Sequence, residues 1–356
     1  MKAARYYDRG DIRIEDIPEP KVGKDEVGVK VAWCGICGTD LHEYKEGPIF
    51  CPRKGHPHPV SGEDSPVTLG HEFSGVVYEV GEGVSGLEVG RHVVVEPYVI
   101  ADGVPTGEGD LYHLSDGMGF IGLSGRGGGL SEKVAVKSRW VHPIDKKVPL
   151  DQAALIEPLS VGYHAYEISG AKKGDVAVVG GAGPIGLLTA AVLKAEGVKV
   201  IITELSAKRK DKAKEAGVAD CVLDPSECDV VEEVKKLTGG KGADVVFECS
   251  SSQKAVDQLL SALRVRGVMV VVSVWGHTAK IDLQQVVLRE LEVRGSIAYC
   301  NDHPQTIKLV EEGKIDLKPF ITHKINLDDL VSKGFDTLIH HNDTAVKILV
   351  SPNEGK

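Results

Sequence analysis

The sequence predicts an α/β protein of two domains, a mostly β half followed by a doubly wound parallel sheet, and three observations carry that prediction. At 356 residues the chain is too long for one ordinary core and fits two domains of common size. Up to about Ala154 it reads as short β-branched runs broken by glycine and proline. Beyond that point apolar strands alternate with helical stretches, the pattern of a parallel sheet with helices on both faces.

The elements follow in order. "VGVKVAWCGI", "SGVVYEVG" and "GRHVVVEP" are runs of strand length bounded by turn residues, so the first region reads as a barrel-like β domain. "VPLDQAALIEPLSVGYHAYEISGA" carries Ala154, Leu155, Leu159 and Val161 at helical spacing and marks the change of style. "DVAVVGGAGPIGLLTAAVLKAEG" and "KVIITELSAKRKDKAKEAG" are then strand, turn and helix twice over, and "DVVFECS", "VRGVMVVVSVWG" and "LEVRGSI" continue the apolar series. The expected division is 1–155 for the β domain, rejoined by 297–356, with 156–296 for the parallel-sheet domain.

Composition narrows the function classes. With 42% hydrophobic and 26% charged residues the chain has ample material for packed cores. A formal net charge of -10 and the lack of a basic patch with interleaved aromatics argue against a nucleic-acid partner. No apolar run approaches the length of a membrane span, and the charged stretch "MKAARYYDRGDIRIEDIPEP" is neither a signal peptide nor a transit sequence, so a cytoplasmic protein is expected. Seven cysteines, an odd count at irregular spacing, argue against a disulfide framework.

Gly181, Gly183 and Gly186 in "VVGGAGPIGLL" satisfy G-x-G-x-x-G directly after an apolar strand and open a helix through Pro184 and Ile185. Glu204 closes the next strand, "VIITE". This is the Rossmann arrangement: the glycines permit a tight turn, close approach of a pyrophosphate to the helix N-terminus, and helix-strand packing. Glu204 should accept from the adenosine ribose hydroxyls, and its charge would repel a 2'-phosphate, which favours NAD over NADP. Lys208 and Arg209 sit close by in "KRKDKAK", whose charge pairing reads as a solvated helix face; Arg209 is the cofactor-side residue that a 2'-phosphate would need.

"AWCGICGTDLHEY" raises a separate question, because Cys34 and Cys37 stand at the spacing of a redox dithiol. A dithiol belongs at the start of a helix in a small βαβ domain, whereas this pair falls in the β half. His71 and Glu72 in "GHE" and Glu157 in "IEPLSVGYHA" supply imidazole and carboxylate, which with thiolate are the ligand types of catalytic zinc. The pieces are scattered, and spacing alone leaves redox, metal and plain structural readings open.

In this order, "CGICGTDLHEY", "GHEFSGVV", "IEPLSVGYHA" and "GGAGPIG" resemble the zinc-dependent medium-chain alcohol and polyol dehydrogenases along essentially the whole chain. "FIGLSGRGGGLSEKVAVKSRWVHPI" and the "HPHPVSG" insertion most resemble the butanediol dehydrogenase branch, while "ALIEPLSVG" is shared with sorbitol dehydrogenases. The resemblance implies a GroES-like catalytic domain beside the Rossmann domain, a zinc ion, NAD, a small diol or ketol substrate such as the 2,3-butanediol/acetoin pair, and a homodimer or homotetramer. A sorbitol- or xylitol-type polyol dehydrogenase is the nearest alternative, and a non-catalytic nucleotide-binding protein a remote one.

Carried over by motif, the resemblance makes Cys37 the zinc thiolate, His71 the imidazole and Glu157 the third protein ligand, with Glu72 as its rival. It makes Cys34 a buried core residue, Thr39 the first step of a proton path and His42 the outer one. Asp40 fits either a bond to His71 or a helix cap. Many relatives hold a second, structural zinc on four cysteines, but no cysteine lies between Cys51 and Cys221, so one catalytic zinc per chain and no structural zinc are expected.

Overall fold

The computed structural model describes residues 1–353. The chain divides into two compact units, one of 1–157, 303–312 and 321 onward, the other of 158–302 and 313–320. The first junction lies two residues beyond the expected one and the second six. Residues 297–302 stay with the parallel sheet because Ser296 N–H bonds Val271 O, Tyr299 is fully buried, and Asp302 pairs with His164 at 2.9 Å. The return is also interrupted, since Ile315, Leu317 and Phe320 are buried and keep 313–320 with the second unit.

The first unit is built on a seven-stranded sheet. Its path runs Val141–Pro143, His92–Val95, Glu72–Val80, Glu26–Gly35, Lys347–Ser351, Ile321–Asn326, with Lys133–Lys137 also paired to Glu26–Gly35. All pairs are antiparallel except the last. Val27, Val29, Val31, Val93, Val95, Ile348 and Val350 fill the core at or below 1% exposure, so the β-branched runs of the sequence become the inner surface of this sheet.

The segment after Glu96 folds around aromatic rings. Tyr98 meets Tyr112 edge-on at 5.3 Å and Trp140 at 5.5 Å. Arg139 lies over Trp140 at 4.2 Å and donates to Thr106 Oγ1 at 2.8 Å, and the Tyr112 hydroxyl donates to the buried Glu96 carboxylate. Stacked guanidinium and rings thus hold the loop that carries no cysteine.

The second unit is a six-stranded parallel sheet: β1 (Val176–Gly180), β2 (Lys199–Thr203), β3 (Cys221–Leu223), β4 (Ala243–Glu248), β5 (Leu263–Val271) and β6 (Glu292–Gly295), in the order β3-β2-β1-β4-β5-β6. The order reverses between β1 and β4, which makes that point the ligand crevice of a doubly wound sheet. Ala177, Val178 and Val179 on β1 and Val246 and Phe247 on β4 are fully buried, as expected for strands covered on both faces. The helix Pro184–Ala195 follows β1 with proline at its first position, where the missing N–H is no loss. Among the described residues no helix is long and apolar enough to cross a membrane.

Candidate metal centre and nucleotide loop

Three of the predicted donors converge in the first unit. One atom each of Cys37, His71 and Glu72 lie within 4.8 Å of one another, and this is the metal-competent group found among the described residues. Cys37 stands at the N-cap of the helix Gly38–Glu46. Asp40, one turn in, accepts the Cys37 N–H at 2.9 Å through Oδ2 and sets Oδ1 3.6 Å from His71 Nδ1. Both roles open to Asp40 are therefore realised at once: it caps the helix and faces the imidazole. Burial pushes Asp40 up to about 6.

Register explains how His71 and Glu72 arrive there. Gly70 has φ +96°, and a Cβ at that position would stand 2.7 Å from Cys34 Sγ and from the Leu130 backbone nitrogen, so only glycine lets the chain turn into "HEFSGVV" at this place. Cys34 is fully buried against it, and burial among carboxylates holds its thiol well above the ordinary cysteine value. All seven cysteines are free. A thiol buried and held protonated in this way is a poor partner for disulfide exchange, which argues against a redox dithiol.

Glu72 opens its strand directly opposite Gly35, and Gly35 is flanked on the other side by Leu349. The Glu72 carboxylate crosses over Gly35, where any Cβ would collide with it, and meets Lys347 Nζ at 2.7 Å through Oε1 and 2.6 Å through Oε2. Lys347 also donates to Ile36 O at 3.3 Å. Both side chains are at most 3% exposed. Burial pulls the Lys347 pKa down, but the Glu72 carboxylate, with Cys37 and Glu157, outweighs it and holds the ammonium above its usual value. Sequence reasoning missed this lysine. The one available signal was a cation alone in the apolar run "AVKILV".

Glu157, ranked ahead of Glu72 from the sequence, is buried near the start of the helix Ile156–Ser169, and its charge acts on both His71 and Lys347. It lies outside the three-donor group, whereas Glu72 lies inside it but is engaged by the lysine. Thr39 Oγ1 stands 3.7 Å from Cys37 Sγ. His42 is three residues further along the same helix, exposed, with Nδ1 3.5 Å from Glu46. Sulfur, imidazole and carboxylate donors in one cluster, two of the three residues buried, suit a zinc ion, and the buried His71 Nδ1 that makes no hydrogen bond fits a ring whose other contacts are set by what the cluster holds.

The second unit carries the nucleotide loop. Gly181 has φ +101°, a Cβ on Gly186 would fall on Gly181 O, and the space over Gly183 is empty within 4 Å. The loop thus keeps one open side of backbone at the first turn of the helix that Pro184 and Ile185 begin, which suits a pyrophosphate. Glu204 Oε2 accepts the Ala182 N–H at 2.8 Å, and Oε1 accepts from Leu205 and Ser206 at 2.9 Å each. The carboxylate thus spans the glycine loop and the turn after β2. Arg209 sits half-buried in the first turn of the next helix, its N–H bonded to Ser206 Oγ. Arg294 donates to Ile168 O and pairs with Glu292, and His303 is fully buried, where desolvation lowers its pKa to about 3.

Residues 23–146 match the alcohol dehydrogenase GroES-like domain and 184–312 match the zinc-binding dehydrogenase domain. The chain is 70% identical to the (R,R)-butanediol dehydrogenase of Neisseria gonorrhoeae over 353 residues, covering 99% of this chain and 100% of the relative. The crystal structure of 2R,3R-butanediol dehydrogenase from Bacillus subtilis superposes with a TM-score of 0.93 at 44% identity, covering 99% of both chains. A zinc-binding dehydrogenase from Sinorhizobium meliloti 1021 bound to NADP superposes at 0.86 with 32% identity, again over 99% of both. With its GroES-like and Rossmann-type domains, the chain belongs to the zinc-dependent alcohol dehydrogenases.

Proposed function

We propose that this enzyme oxidises a vicinal secondary diol to a hydroxyketone with NAD, the 2,3-butanediol/acetoin interconversion. The observation that carries the proposal is the 70% identity, along the full chain, to a relative named for that reaction. Cys37 and His71 would hold the zinc, with Glu72 or Glu157 as the carboxylate. The absence of any cysteine between Cys51 and Cys221, together with the aromatic packing around Arg139, supports one zinc per chain. Bound zinc would supply Lewis acidity that lowers the pKa of the substrate hydroxyl, and bound NAD would supply the hydride acceptor. The carbinol hydrogen leaves with its electron pair and the hydroxyl proton leaves separately. The Thr39 hydroxyl accepts that proton as it gives its own onward, and His42, three residues on along one helix face, passes the proton to water. Glu204 binds the adenosine ribose, while Gly181, Gly183 and Gly186 let Pro184 and Ile185 start a helix whose N-terminus meets the pyrophosphate.

The seven free thiols suit a cytoplasmic protein. Leu283, Val287 and Leu288 are 69%, 73% and 74% exposed on the helix that precedes β6, itself an edge strand, and this apolar margin supports a homodimer or homotetramer.

NAD should be preferred over NADP by about tenfold or more in kcat/KM, because a hydrogen bond to a charged group contributes about 1.5 to 3 kcal/mol. Equal efficiency with the two cofactors would remove Glu204 from this role and turn attention to Arg209. On a panel of alcohols, 2,3-butanediol should exceed the matching mono-alcohol by at least several-fold, since a buried carboxylate left without its hydroxyl partner costs about 1 to 3 kcal/mol. It should also exceed sorbitol and xylitol. Faster turnover of sorbitol than of any four-carbon diol would overturn the substrate and leave the mechanism standing.

A further inference from the structure

The ligand crevice of the second unit opens where the strand order reverses, between β1 and β4. The glycine loop forms the β1 side. On the β4 side the strand ends in Glu248, a carboxylate with 0% exposure that the mechanism above leaves unused. Its Oε1 accepts the Ser250 N–H at 2.7 Å and the Ser250 hydroxyl at 2.8 Å, and its Oε2 accepts the Ser273 hydroxyl and the Trp275 indole N–H at 3.1 Å. Its carbonyl oxygen accepts Val272 N–H at 3.0 Å and Ser273 N–H at 3.2 Å. One residue therefore ties together the two loops that leave β4 and β5 at the crevice. Ser250 in turn packs against the first glycine, since a Cβ on Gly181 would stand 3.1 Å from Ser250 Cβ.

We propose that Glu248 is a positioning residue for the dinucleotide, holding the loops 249–252 and 272–275 in the geometry that forms the β4 wall of the crevice. The inference rests on the NAD-linked reading above. Each carboxylate oxygen receives one group that can only donate, the Ser250 backbone N–H on one and the Trp275 indole on the other, plus one hydroxyl that can donate or accept. The site therefore requires two acceptor oxygens. A glutamine offers one oxygen and one NH2, so whichever way its amide is turned, an obligate donor faces the NH2 and one loop is released.

The test is NADH titration of the full-length zinc enzyme, with four chains compared: wild type, E248Q, W275F and E248Q/W275F. In E248Q the Kd for NADH should rise about tenfold while zinc content stays at the wild-type level, because the metal donors belong to the other unit. The tryptophan emission assigned to Trp275, obtained by subtracting the W275F spectrum, should change in apo E248Q. In the W275F background the same glutamine should cost less than about threefold, since its NH2 then faces only the Ser273 hydroxyl, which can turn to accept. This background also keeps the comparison available if E248Q alone folds poorly. NADH binding by E248Q at the wild-type Kd overturns the proposal, and so does a loss of equal size with and without Trp275. A wild-type chain that binds no NADH overturns the dinucleotide reading itself, which is a different failure.

Discussion

Cys37→Ser is expected to lose zinc and activity together, and Cys34→Ser to keep both. Lewis-acid polarisation is worth several kcal/mol of transition-state stabilisation. At about 1.4 kcal/mol per tenfold, its loss should lower kcat by roughly a hundredfold or more. Cys34 lies in the core, donates to Gly35 O at 3.5 Å, and packs on Gly70. A serine there buries a hydroxyl and costs about 1 to 3 kcal/mol of stability without touching the donor cluster. Metal analysis of the two variants, with the wild type giving close to one zinc per chain, is the measurement. Equal loss in both variants would return the pair to redox chemistry, and two zinc ions per wild-type chain would mean that the cysteine-free loop carries a metal after all.

The nucleotide loop was legible because its chemistry is local. A strand, three glycines and the opening of a helix lie within a dozen residues, and Glu204 ends the very next strand, so a short window holds the whole reading. The metal site is not local. Cys37 caps a helix, His71 directly precedes and Glu72 opens a strand beyond a long loop, and Glu157 lies in the first turn of the helix Ile156–Ser169, so no spacing rule joins them and only the resemblance to a family did. What sequence patterning could not supply was register. Gly35 reads as a turn glycine in "WCGICG", yet its function in the fold is to leave room for a carboxylate crossing from the neighbouring strand. Glu248 was hidden for a related reason: in "DVVFECS" an acid after an apolar strand reads as the strand's solvated end, and only the fold shows four donors converging on it. The domain junctions moved because 297–302 is held to the parallel sheet by buried Tyr299 and by the Asp302–His164 pair, contacts that hydrophobic periodicity does not report.

Lys347→Met should be among the most destabilising single changes in the first unit. The lysine and Glu72 are separated by 275 residues in sequence and joined by two hydrogen bonds in a site with almost no solvent. Methionine matches the length of the stem but leaves a buried carboxylate without its cation, which costs about 3 to 5 kcal/mol. Removing both charges is a different matter, since no uncompensated charge is then left in the core and only a neutral amide has to be accommodated. The double variant E72Q/K347M should therefore recover most of the loss, and a denaturation series on the four chains of the cycle, all stripped of zinc, reads that coupling directly. The sign of the metal effect separates two roles for the pair. If Lys347 holds Glu72 back from the metal position, K347M frees a carboxylate inside a group whose donor atoms lie within 4.8 Å of one another, and zinc should leave the folded variant more slowly under a chelator than it leaves the wild type. Faster loss would mean that the ion pair braces the strand ends on which His71 and Glu72 stand. A full recovery of stability in E72Q/K347M, with zinc exchange returned to the wild-type rate, would then assign Glu72 to that brace and leave the third-ligand position to Glu157.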